Sequence, residues 1–174
     1  MSEFRDWFNY DLDLIYFNNA STGMLPDRTT KAMIHLIEQL AVKGELNIDE
    51  LLAMQGRFRE SAGKLLNVGA DEISFIRNTS EGLSIALYSI DWQPGDNMIV
   101  QEDAFPASLY LAHYCFPEVE KRYIPLGDGS QFYDRLERMI DARTRAVVID
   151  YVHFLSGYRC DLVKLGEITR ATNC

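Results

Sequence analysis

The sequence predicts an α/β fold with a mainly parallel sheet and flanking helices. From residue 71 onward, short apolar runs alternate with helical segments, the pattern of parallel βαβ units. One of those runs, Ala146-Val147-Val148-Ile149, is continuously apolar, as a strand buried on both faces requires. The chain has 174 residues, 47% of them hydrophobic and 25% charged. Those fractions match soluble globular domains and exclude disordered and low-complexity classes.

Up to about residue 68 the chain reads as an extended segment followed by two helices. The first spans Thr29–Val42, with Met33, Leu36, Ile37 and Leu40 at helical spacing and Gly44 beyond its end. The second begins after Asp49 as N-cap and carries Leu52, Phe58, Ala62, Leu65 and Leu66. Residues 1–68 are therefore one region, and 69–174 a partial α/β domain. In the latter, Glu72–Ile76 is strand-like, Thr79–Ile90 helical, Asn97–Gln101 a strand and Pro106–Phe116 helical. Val119–Leu126 is extended, Gln131–Ile140 helical and Arg145–Tyr151 a strand, and a last helix starts near Asp161.

A formal net charge of −9 argues against nucleic acid as a partner, because phosphate backbones are met by Lys and Arg clusters. No apolar run reaches the roughly 18 to 20 residues of a membrane span. The start, MSEFRDWFNYDLD, lacks the basic end and apolar core of a signal peptide. The expected location is the cytoplasm. Cys115, Cys160 and Cys174 are odd in number and widely spaced, so reduced thiols are expected rather than disulfides or zinc.

Ligands of open α/β sheets sit outside the carboxyl ends of the strands, which directs attention to three segments. Arg77-Asn78-Thr79-Ser80-Glu81-Gly82 reads as a capping box, Asn78 capping and Glu81 reaching back. The same helix start offers free N–H groups, and Thr79 and Ser80 add hydroxyls, a combination suited to one phosphate. No Rossmann fingerprint or Walker lysine accompanies it. After the second run, Phe105 before Pro106 is either a stacking platform for a flat ring or a core residue. After the last, Asp150 can pair with a cationic ring nitrogen and His153 can hydrogen-bond a ligand, unless His153 is a satisfied loop histidine. His35 and His113 have no partners at ligand spacing and read as structural.

Four stretches together resemble one family. Tyr16-Phe17-Asn18-Asn19-Ala20-Ser21-Thr22-Gly23-Met24-Leu25-Pro26, Ile73–Gly82, Phe105-Pro106-Ala107 with Tyr110, and Thr144–Asp150 followed by Val152–Arg159 and Asp161-Leu162 are similar to successive motifs of class V aminotransferases. These are pyridoxal 5'-phosphate (PLP) enzymes of fold type I, and the likeness is to their kynureninase-like and isopenicillin-N-epimerase-like branches. The resemblance implies that Thr79 and Ser80 hold the PLP phosphate and that Phe105 stacks on its ring. It puts His153 near the ring substituents and Phe154 where desulfurases carry an Asn. Asn19 and Ala20 fall in the segment that approaches substrate. The implied function is amino-acid chemistry on PLP: transamination, epimerisation, or C–S or C–C lyase chemistry. The implied assembly is a homodimer acting on a small-molecule amino-acid substrate.

That chemistry also needs a lysine to anchor PLP and an Asp on its ring nitrogen. None of the five lysines (Lys31, Lys43, Lys64, Lys121 and Lys164) sits in a matching motif. No catalytic residue is therefore assigned, none of the three cysteines matches the family's reactive Cys, and the chain reads as the N-terminal, inactive portion of a longer enzyme. Two alternatives stay open: a non-catalytic protein that binds PLP or pairs with a subunit, and an unrelated α/β domain for a small phosphorylated ligand.

Overall fold

The computed structural model describes residues 5–8, 13–45, 47–172 and 174. Residues 1–4 and 9–12 of the acidic start lie outside that set. The chain divides into two compact units, Met1–Ser74 and Phe75–Cys174.

In the first unit, helix α1 (Asp27–Lys43) follows Pro26 and ends at Gly44, whose φ of 74° lets its N–H reach the Leu40 carbonyl. Helix α2 (Ile48–Leu66) is capped by Asn47, which accepts hydrogen bonds from the Asp49 and Glu50 amides. The expected cap, Asp49, is thus displaced by two residues. Both residue types cap well, and the chain turns into the helix at the earlier one. A short 3-10 turn, Ala70–Glu72, follows.

The second unit is a three-layer α/β/α arrangement. Helix α3 (Thr79–Tyr88) leads to β1 (Asn97–Gln101), helix α4 (Pro106–Cys115), β2 (Glu120–Ile124), helix α5 (Phe132–Met139), β3 (Thr144–Val148) and helix α6 (Leu162–Thr172). The strands are all parallel, in the order β2-β1-β3. Central β1 is buried along its whole length. Its pleat sends Met98 and Val100 to one side, among Leu87, Ala112 and Phe116 from α3, α4 and the α4 end. Ile99 points to the other, among Ile124, Leu126, Phe132, Leu136 and Ile168. Period-two alternation thus feeds two cores with one strand. Each fully buried Ile, Leu or Phe there contributes about 1.5–3 kcal/mol.

Three sequence expectations need correcting. Glu72–Ile76 is not a strand: its start belongs to the 3-10 turn, and residues 73–76 form no regular element and do not join the sheet. An apolar run makes a strand only when a neighbour supplies the ladder. The last strand stops at Val148 rather than Tyr151, because the Asp150 amide turns to the Gln101 side chain. Finally, Glu81 reaches back past Asn78 to the Arg77 amide.

Candidate functional site

The first site element is the start of α3. The Asn78 side chain accepts from the Glu81 amide at 3.0 Å, and Glu81 accepts from the Arg77 amide at 2.6 Å and twice from its guanidinium. Arg77 therefore holds the Glu81 carboxyl below its usual range, chiefly through side-chain and then backbone hydrogen bonds. Neutralised in this way, the one carboxylate in the first turn does not oppose an anion at the helix head. The Thr79 and Ser80 amides find no acceptor among the described residues, as expected for the first turn of a helix.

The second element is the carboxyl rim of β1 and β3, where a buried glutamine joins two loops. Gln101, 1% exposed, donates to Asp103 Oδ1 at 3.1 Å and accepts from the Asp150 amide at 3.1 Å. Asp150 Oδ2 in turn accepts from the Phe105 amide at 2.8 Å. The carboxylate that sequence offered to a ring nitrogen thus fixes the loop that carries Phe105. His153 is 5% exposed; its Nδ1 lies 2.8 Å from Ser156 Oγ and its Nε2 2.9 Å from the Asp103 carbonyl oxygen. Both nitrogens are engaged, which fits the satisfied-loop alternative and makes His153 a clasp between the two loops. Cys160, whose thiol donates to the Asp150 carbonyl, is pushed up mainly by burial and then by Asp150.

These ties leave an aromatic shelf. Phe154 meets Phe105 edge to face, centroids 5.4 Å apart at 89°, and His153 at 5.4 Å and 73°. Phe105 remains 51% exposed; it starts α4 with Pro106 in the first turn, and α4 packs against α3. Phe105 and His153 therefore share the rim, and Thr79 and Ser80 lie in the same unit on α3. Asn19 and Ala20 belong to the other unit. They sit exposed at the tip of a turn closed by Ser21 and Thr22 amides on the Asn18 carbonyl and by the Tyr16 hydroxyl on the Thr22 carbonyl at 2.6 Å. Sequence reasoning missed Gln101, Asp103 and Ser156, whose roles arise from contacts up to 50 residues apart. No group of three or more His, Cys, Asp or Glu able to hold a metal occurs among the described residues, and no helix there is long and apolar enough to cross a membrane.

The profile of the family described as aminotransferase class-V matches residues 15–174. The chain belongs to that family. Its members are PLP-dependent enzymes. Among relatives, this class-V chain is 28% identical over 163 residues to a cysteine desulfurase of Klebsiella pneumoniae subsp. pneumoniae, covering 87% of this chain and 40% of that protein. Among solved structures, the cysteine desulfurase CsdA of Escherichia coli superposes with a TM-score of 0.83 at 22% identity, over 99% of this chain and 46% of that one. A C-DES mutant with glycine covalently linked to its PLP cofactor gives 0.82 at 19%, over 92% and 44%. This likeness establishes the fold, and the chain spans less than half the length of these proteins.

Proposed function

We propose that this class-V chain carries the phosphate- and ring-holding part of a PLP site in an enzyme acting on an amino acid. The observation that supports it most is the start of α3: two acceptor-free amides, two hydroxyls and a neutralised Glu81 in a chain matched by a PLP-dependent family over residues 15–174. Those residues fit a phosphate monoester, whose oxygens need donors rather than a metal.

Thr79 and Ser80 bind that phosphate through amides and hydroxyls. Phe105 lies against the pyridine face. His153 acts by holding the 153–156 turn to Asp103, so that Phe154 buttresses Phe105 and water is kept from one side of the ring. Asn19 and Ala20 approach the substrate. When bound, PLP supplies an electron sink for a carbanion at the substrate's α-carbon. The reaction is transamination, epimerisation, or C–S or C–C cleavage; the desulfurase relatives favour the C–S member. Cys160, buried and held as a thiol, is not its sulfur acceptor.

The PLP-anchoring lysine lies outside this chain's five. In the α/β unit, Lys121 donates to the Phe116 carbonyl and Lys164 lies 4.9 Å over the Tyr133 ring. The 174 residues alone are inactive, and the working enzyme is a cytoplasmic homodimer. A PLP titration followed by borohydride reduction and peptide mass mapping tests this. Saturable binding that Thr79→Ala/Ser80→Ala weakens, with no lysine of this chain labelled, is expected. A specifically labelled lysine overturns the inactive-chain reading, and absence of binding by the folded chain overturns the site.

A further inference from the structure

One further surface combines ring faces with an unneutralised charge. Tyr110, His113 and Tyr114 stand on α4 at spacings of three and four, which gathers them on one helix face. The Tyr110 and Tyr114 rings meet edge-on with centroids 6.1 Å apart at 60°, and His113 meets Tyr114 at 4.8 Å and 82°. From the edge strand β2, Tyr123 completes the wall, its hydroxyl 2.9 Å from His113 Nδ1. With Leu109 and Glu102, these side chains line an open cleft of about 380 Å³. Tyr110 and Tyr114 are 59% and 72% exposed, far more than aromatic rings serving a core.

Glu102 supplies the charge. Its amide is tied to the Ile124 carbonyl, which fixes its backbone beside β2, and it lines the cleft, yet its carboxylate has no ion pair or hydrogen bond among the described residues. Lys121, two residues before Tyr123 on β2, is turned to the Phe116 carbonyl instead.

We propose that this cleft binds an organic cation of side-chain size, carrying a quaternary ammonium or guanidinium group. Ring faces are electronegative and attract cations, and rings set at steep angles to one another offer faces from more than one direction. An anion would meet the Glu102 carboxylate in the lining, and a neutral apolar ligand would strip water from that carboxylate without replacing it. Weakly hydrated cations satisfy both the rings and the charge. The chain's net charge of −9 raises the local concentration of such ligands.

Calorimetry with choline and with its neutral isostere 3,3-dimethylbutan-1-ol tests the proposal on the unsubstituted protein. Choline is expected to saturate, with affinity about tenfold above the isostere. N-acetylarginine methylamide, run in parallel, tells whether the cleft prefers a free quaternary ammonium or a peptide-borne guanidinium. Glu102→Gln and Tyr114→Leu, both at exposed positions, should each weaken binding several-fold without altering the far-ultraviolet circular dichroism spectrum. Equal binding of choline and isostere, or no binding of either cation, overturns the proposal. Should a variant fail to fold, the cation-against-isostere comparison still decides.

Discussion

The two ends of the three-stranded sheet are built on opposite principles. At the amino end, charges lock together. Asp141 accepts from the Asn97 side chain at 3.1 Å, the Arg143 amide at 2.8 Å and the Arg122 guanidinium at 2.6 Å, while Thr144 donates to Asn97 at 2.9 Å. At the carboxyl end, Gln101 and His153 tie loops together through single hydrogen bonds with no Arg–carboxylate pair, and aromatic rings stay exposed. One end fastens strands; the other displays side chains. A parallel sheet can divide these tasks because its loops of one kind all emerge on one side.

Breaking the closed end should cost most. Asn97→Leu takes from the buried Thr144 hydroxyl its 2.9 Å acceptor, leaving only Asp141 Oδ1 at 3.4 Å, and removes the side-chain donor to Asp141; it should lower unfolding free energy by about 3 kcal/mol. Urea denaturation checks it, and PLP affinity of the folded fraction should not change. Gln101→Leu should cost about 2 kcal/mol, because the Asp150 amide loses its acceptor. Unlike the first change, it should also weaken PLP binding, since the Phe105 loop hangs from Asp150. Equal effects of the two variants on PLP would erase the division between the ends.

Asn78→Ala removes the α3 cap and should cost about 1 kcal/mol in thermal or chemical unfolding. Phe105→Ala should change stability by no more than about 0.5 kcal/mol, its ring being half exposed, while PLP affinity falls about tenfold. The smallest effect is in acid. Arg122, then the Arg143 amide, pull the Asp141 carboxyl down to about 2 from its ordinary 3.8. A depressed carboxyl stabilises the fold above its ordinary range and loses that contribution as pH falls from 3.8 toward 2. Melting temperature against pH should therefore decline less steeply in Asp141→Asn over that window.

Much of this was legible in periodicity. The core strand Asn97–Gln101 was read with its true bounds, and α1, α4 and α5 within two residues at each end, because apolar spacing is a local signal. Glu72–Ile76 misled because a short apolar run marks a surface to be buried, not a partner to pair with. Of the proposed site, Thr79, Ser80 and Phe105 were legible as candidates from the residues beside them. Gln101 was invisible: nothing beside it in sequence signals that its amide joins loops 49 residues apart. For His153 the sequence left a ligand contact and a satisfied loop histidine both open, because one of its partners lies 50 residues upstream.

The strand order has a consequence for how the protein is made. Strand β1 lies in the middle of the sheet, yet one of its two neighbours, β3, begins 47 residues later. As the chain leaves the ribosome, Met98, Ile99 and Val100 emerge well before Thr144–Val148 can shield their second edge. For those seconds the most deeply buried of the three strands described is half dressed. At elongation speeds of about 5–20 residues per second, this interval is when chaperones or aggregation compete for it, and slow codons between β2 and β3 would lengthen the exposure.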